Sequence, residues 1–327
     1  MNNNDRQTAL TRHAGVQLPL ICGPMYPCSN PELVAAVSEA GALGIVQPIS
    51  LTFVHGYGFR DGLRYIRRLT DKPVGMNALI EKTSKRYHER MLQWVDIALE
   101  EGVRFFITSL GKPDWVVERV HAVGGIVYHD VTERKWALKG LDGGADGLIA
   151  VNSRAGGHAG ARSAAQLYDE LGDLGLPLVC AGGIGNETDF AEAVSLGYAG
   201  VQMGTRFIAT VECTASEVYK QAIVRATEND IVLSERVTGV PVAVINTPFI
   251  KKTGLKTGRL AAWLLQGKRT RYLVRAVYAL RSLYRLKHAS LDKQGSVEYW
   301  QAGKSAGHVQ TVEPVARIIQ RFAASWK

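Results

Sequence analysis

The sequence predicts an α/β fold, a (β/α)8 TIM barrel with an inserted, mainly helical basic segment near its C-terminus. Three observations predict it. Short apolar runs of strand length alternate with helical patterns eight times, the rhythm of parallel strands joined by crossover helices. Eight such units favour a closed barrel over an open doubly wound sheet. After about residue 228 the rhythm breaks and basic residues accumulate. The chain therefore divides into a barrel (1–228), an inserted lid or substrate subdomain (229–293), and a tail whose helix returns to the barrel (294–327).

The elements follow in order. Pro19–Cys22 is the first strand, an apolar run stopped by Gly23. Ser29-Asn30-Pro31-Glu32 then starts a helix over Pro31–Ala40: capping side chains precede a proline whose missing N–H is not needed in the first turn, and Gly41 ends it. The next strands are Leu43–Gln47, Val74–Leu79, Val103–Ser109, Gly125–Asp130, Gly147–Val151, Leu178–Ala181 and Gly200–Gly204. Helical patterns over Gly62–Leu69, Lys85–Glu101, Asp114–Ala122, Glu133–Leu141, Ala164–Leu171, Thr188–Leu196 and Thr214–Thr227 separate and follow them. Ile231–Ile245 reads as one or two strands, Arg269–His288 as an amphipathic helix and Val312–Ala323 as a last one.

Of 327 residues, 46% are apolar and 21% charged, which excludes a mainly disordered chain. Four scattered cysteines without a CxxC pair exclude a disulfide scaffold and argue against a zinc site, so no metal is expected. The polar stretch Met1 to Thr8 lacks the apolar core of a signal peptide, and no apolar run approaches the ~20 residues that span a bilayer. A reduced, cytoplasmic protein is expected. The net charge of +9 is uneven: residues 251–293 hold twelve Lys and Arg against one acid. That segment suits an acidic carrier protein or another anionic surface. The alternative is a packed helix with a solvated basic face. Nucleic acid is not expected, because no recognition motif accompanies the charge.

The candidate chemistry lies at strand ends, where barrel loops build active sites. The seventh and eighth strands end in Ala181-Gly182-Gly183 and Met203-Gly204-Thr205, the loops that often hold a phosphate on backbone N–H groups. A phosphorylated cofactor such as FMN, or a sugar phosphate, fits them. After the sixth strand comes Ser153-Arg154-Ala155-Gly156-Gly157-His158. A histidine behind two glycines in such a loop suits proton transfer near neutral pH. His129-Asp130 ends the fifth strand, with His129 open between lining the site and packing the strand. Met25 after the first strand and Asn77 on the third are placed to contact a flat cofactor.

Together, "LPLICGPM", "NPELVAAVSEAGALG", "PVGMN", "GADGLIAVNSRAGGHAG", "PLVCAGGIGN" and "GVQMGTRFIATVECTASEVYKQA" resemble the nitronate monooxygenase family of FMN-dependent barrels. "YWQAGKSAG" is a looser match. The resemblance implies FMN contacts at Met25, Asn77, Gly156, Gly183, Gln202, Met203, Gly204 and Thr205, to which the glycine turn itself adds Gly182, with His158 as the catalytic histidine. The implied reaction is oxidation of a nitronate, or of a nitroalkane deprotonated by His158, by oxygen to a carbonyl compound and nitrite. Val151 stands where the family commonly has glutamine, Arg154 where it often has an acid, and Gln301 where the tail usually has serine. The resemblance extends to flavin-dependent enoyl-acyl carrier protein reductases, which add a nicotinamide cofactor. Against both stands a flavin-binding barrel that catalyses nothing.

Overall fold

The computed structural model describes residues 7–81, 84–236, 239–256, 270–292 and 299–326. Eight parallel strands close a barrel in sequence order, β8 pairing with β1. They are β1 (Leu20–Cys22), β2 (Leu43–Val46), β3 (Val74–Ile80), β4 (Phe105–Leu110), β5 (Ile126–Val131), β6 (Gly147–Val151), β7 (Leu178–Ala181) and β8 (Gly200–Met203). Each expected strand is present, with ends shifted by at most two residues. Ahead of them lies α1 (Ala9–Ala14); between and after them run α2 (Pro31–Glu39), α3 (Phe59–Leu69), α4 (Lys85–Glu100), α5 (Asp114–His121), α6 (Arg134–Asp142), α7 (Ala164–Leu171), α8 (Glu187–Ser195), the single turn α9 (Thr205–Ile208) and α10 (Glu217–Arg225). A π-helical turn over Ser50–Val54 follows β2.

Alternation along the strands sorts side chains into an inner and an outer layer. Ile21, Leu43, Ile45, Phe105, Ile107, Tyr128, Ile149, Val179 and Ala181 form one buried cluster inside the barrel. Their neighbours, such as Leu20, Cys22, Leu148, Cys180, Val201 and Met203, pack outward against the helices. The short helix α1 was not expected from the pattern. Thr8 and Thr11 cap each other at its start, and fully buried Leu10 joins the inner cluster, plugging the N-terminal end of the barrel.

Beyond α10 the chain forms an antiparallel hairpin, β9 (Ile231–Ser234) with β10 (Val242–Ile245). Then follow α11 (Pro248–Thr253), α12 (Thr270–Leu291) and, after the tail turn at Lys304–His308, α13 (Val315–Ser325). The expected amphipathic helix is thus present as α12. Much of the apolar stripe expected for it, and residues 257–269 of the basic segment, lie outside what the structure describes. Its last turns dock on the C-terminal face of the barrel: the Tyr26 hydroxyl donates to the Leu283 carbonyl at 2.7 Å and Lys287 Nζ to the Phe53 carbonyl at 2.8 Å. No described helix is long and apolar enough to cross a membrane.

Candidate active site

The site is built where β6, β7 and β8 end. Asn152, buried directly after β6, ties two loops together. Its Nδ2 donates to the Gly182 carbonyl at 2.8 Å, and its Oδ1 accepts the Arg154 N–H at 2.8 Å. Gly182 takes φ +114°, and a Cβ there would lie 2.6 Å from Ala155 N and inside contact with Asn152 Oδ1. Only glycine fits that approach. Asp189 fastens the far side of the same turn, its Oδ2 accepting the Gly185 N–H at 2.8 Å, the Asn186 N–H at 3.1 Å and bonding His308 Nδ1 at 2.7 Å.

The hairpin and tail hold the histidine loop from above. The Ala243 N–H donates to the Gly157 carbonyl at 2.8 Å, and the Ile245 N–H to the Trp300 carbonyl at 3.0 Å. Strand β10 thus lies between the His158 loop and the tail. Gly156 and Gly303 press backbone to backbone: a Cβ on Gly303 would stand 2.6 Å from Gly156 N. Tyr219 stacks on Trp300 with 5.7 Å between rings and donates its hydroxyl to the Gln301 carbonyl.

His158 emerges from this frame at the mouth, exposed to solvent. Protein mass around the ring still holds its pKa below the ordinary value, because desolvation penalises the imidazolium. The ring is therefore a neutral base at physiological pH. Arg154 does not project freely beside it: its guanidinium pairs with Glu228.

The remaining expected residues fall in two groups. Asn77 and Gln202 occupy inward positions of β3 and β8. Asn77 Oδ1 and Gln202 Oε1 are sealed from solvent with no hydrogen-bond partner among the described residues, an unmet demand that a bound ligand or water would satisfy. Met25 borders the β8 turn, its Sδ 3.4 Å from where a Gly204 Cβ would stand. Gly182, Gly183 and Gly204 line the turns beside it. Three details narrow which atoms these residues offer. The Met25 N–H is already donated to Ser29 Oγ at 2.8 Å, so only its side chain is open to a ligand. The Met203 side chain packs outward in the core and its carbonyl accepts the Gly23 N–H at 3.0 Å. Thr205 Oγ1 accepts the Gly303 N–H at 2.9 Å, which anchors the tail and uses one of the oxygen's lone pairs.

His129, left open by the sequence, points away from the mouth. A Cβ on Gly140 of α6 would stand 3.0 Å from its Cδ2, and its Nδ1 lies 2.8 Å from Thr108 Oγ1. Burial, aided by the Lys139 charge, lowers its pKa to about 4. Asp130, the next residue, takes the inward position instead. Asn152 and the β10 backbone were not foreseen as site-building parts.

Asn77 and Gln202 with open amides, the backbone cradle at Gly182 and a neutral histidine above them fit a planar, phosphorylated cofactor. Comparison with known proteins places the chain. Residues 7–324 match the family model for nitronate monooxygenase. The chain belongs to the nitronate monooxygenase family. It is an oxidoreductase. A probable nitronate monooxygenase of Staphylococcus saprophyticus is 30% identical over 313 residues, 81% of this chain and 86% of that protein. A "(3aS,4S,5R,7aS)-5-hydroxy-7a-methyl-1-oxo-octahydro-1H-indene-4-carboxyl-CoA dehydrogenase" of Rhodococcus jostii is 30% identical over 260 residues, 78% of this chain and 71% of that one. Among solved structures, FabK from Thermotoga maritima superposes with a TM-score of 0.79 at 28% identity, covering 98% of this chain and 96% of its own.

Proposed function

We propose that the protein is an FMN-dependent oxidase of carbon acids, with nitronates or the parent nitroalkanes as substrates and His158 as the proton-transfer residue. The observation that carries this reading is the state of His158: exposed at the mouth, held below its ordinary pKa, and bonded to no side chain among the described residues. Such an imidazole is free to take a proton from carbon and needs no partner released first. Bound FMN supplies the acceptor for the electrons. Asn77 and Gln202 would orient its ring through their open amides, and the N–H groups around Gly182, Gly183 and Gly204 would hold its phosphate. The hairpin holds the backbone of the histidine loop at Gly157, which would keep the ring in place for the substrate carbon. With a nitronate in air, oxygen uptake and nitrite release by the wild type, lost for the neutral nitroalkane in His158→Ala, are expected. Equal nitroalkane turnover by both proteins would refute the role of His158.

A second reading has its own support. Arg281 and Arg285 near the docked end of α12 form no ion pair among the described residues, and each neighbours the other's charge. With the Rhodococcus relative named for a CoA thioester, this favours a substrate carried on an anionic handle, a CoA or carrier-protein thioester. NAD(P)H consumption with an enoyl thioester, or flavin reduction by a saturated one, would select it over nitronate oxidation.

A further inference from the structure

Asp130 is absorbed by neither reading. It is the penultimate residue of β5 and alternates with Tyr128, which lies in the inner cluster. Its carboxyl therefore enters the barrel at the C-terminal end, where the inward positions on β3 and β8 present Asn77 and Gln202. Asp130 Oδ1 is sealed from solvent and has no hydrogen-bond partner among the described residues, and the same holds for Asn77 Oδ1 and Gln202 Oε1. Three orphaned oxygens thus sit at one end of one barrel, under the loop that carries His158.

Among the described residues, the elements packed around Asp130 bring no compensating charge. The inward residues at the ends of the neighbouring strands are Ser109 on β4 and Val151 on β6, both uncharged. Its neighbour His129 faces α6, and the Lys139 charge acts on that outward ring. Arg154, on the loop above, is held by Glu228. His158 is neutral by desolvation. A carboxylate placed here would be buried without a cation, which costs more than keeping its proton.

We propose that Asp130 is a neutral carboxylic acid on the floor of the site, donating its O–H to a carbonyl or ring-nitrogen acceptor of the bound flavin while Asn77 and Gln202 meet the ring's other polar atoms. The floor then offers a proton donor below the ring, and His158 a proton acceptor above it. Burial alone pushes the Asp130 carboxyl up to about 7, so the donor is present in the neutral range and lost in alkali. The inference rests on the FMN reading of the site.

Two measurements test it separately from that reading. The first uses flavin-free full-length protein: infrared difference spectra over a pH titration, with Asp130→Asn as the blank. A protonated-carboxyl band that disappears with a midpoint near neutrality, and is missing from the variant, is expected. If the two proteins give the same spectra, Asp130 ionises like a surface carboxyl and the proposal is overturned. The second measures FMN binding by fluorescence quenching below and above that midpoint. Loss of one donated hydrogen bond weakens binding about five-fold in alkali, in the wild type and not in Asp130→Asn. Wild-type binding that is independent of pH would overturn the donated bond and leave the cofactor reading intact. A titrating carboxyl in a protein that binds no FMN at any pH would overturn the cofactor reading and, with it, the bond.

Discussion

Replacing Asn152 by alanine tests how the site is held. The side chain is buried and makes one bond to each loop, Nδ2 to the Gly182 carbonyl and the Arg154 N–H to Oδ1, both 2.8 Å, besides a weaker contact from Nδ2 to Cys180 Sγ at 3.6 Å. Alanine removes both and brings no replacement. Each backbone group left unpaired in a buried setting costs about 1–3 kcal/mol, so the variant should lose about 2–5 kcal/mol. In a protein of this size that is a fall in Tm on the order of 5–10 °C. The Gly182 turn and the His158 loop would also separate, so FMN should bind at least about ten-fold more weakly, the equivalent of roughly 1.4 kcal/mol. Asn152→Asp is the informative companion. It keeps an acceptor for the Arg154 N–H but sets a carboxylate against the Gly182 carbonyl, and should be no more stable than the alanine variant. Denaturant unfolding of the three proteins, with FMN titration of each, reads both effects. Wild-type stability and wild-type FMN affinity in Asn152→Ala would refute the claim that this residue couples the two loops.

Other outcomes follow from the same geometry. Gly183→Val, which must adopt φ +83° with its Cβ 2.6 Å from Arg154 Nε, should fold less stably and lose FMN; full flavin occupancy would count against the phosphate cradle. His158→Ala should keep FMN and lose about 10²–10⁴-fold in turnover of neutral nitroalkanes, read by oxygen consumption. Glu313 is held below its ordinary pKa by hydrogen bonds from Arg321 and by buried Arg206. Its contribution to stability is therefore full above the unfolded pKa and fades as pH falls through the folded one. Arg206→Met, which leaves Glu313 paired with Arg321 alone, should cost about 1–3 kcal/mol, measured by unfolding at neutral pH. Asp130 has the opposite sign: its carboxyl is pushed up to about 7, so wild-type stability should decline as pH rises from the ordinary carboxylate range to neutrality, and Asp130→Asn should flatten that decline.

The barrel was legible because parallel strands covered on both faces read as short apolar runs, several of them followed by a glycine, as at Gly23, Gly111, Gly182 and Gly204. Helix α1 was not: its two inward apolar residues, Leu10 and Ala14, are too few to set a period, although Thr8 and Thr11 and the terminating Gly15 mark it in retrospect. In the site, the glycine turns and His158 stood out by residue type and position. Asn152 did not, since its role depends on the Gly182 turn, a strand away in space and thirty residues on in sequence. Asp130 was within reach, because two-residue alternation from an inward Tyr128 predicts it, but its protonation depends on burial that no local pattern reports. The tie between β10 and the His158 loop joins residues far apart in the chain, and no local pattern announces such a contact.

The most direct test of the account is the flavin content of the purified protein. Its visible spectrum before and after incubation with FMN, beside that of Gly182→Val, measures whether the β6–β8 loops form a cofactor site. One FMN per chain in the wild type and none in the variant is the predicted result. A wild-type protein that stays colourless after reconstitution would contradict the account at its centre.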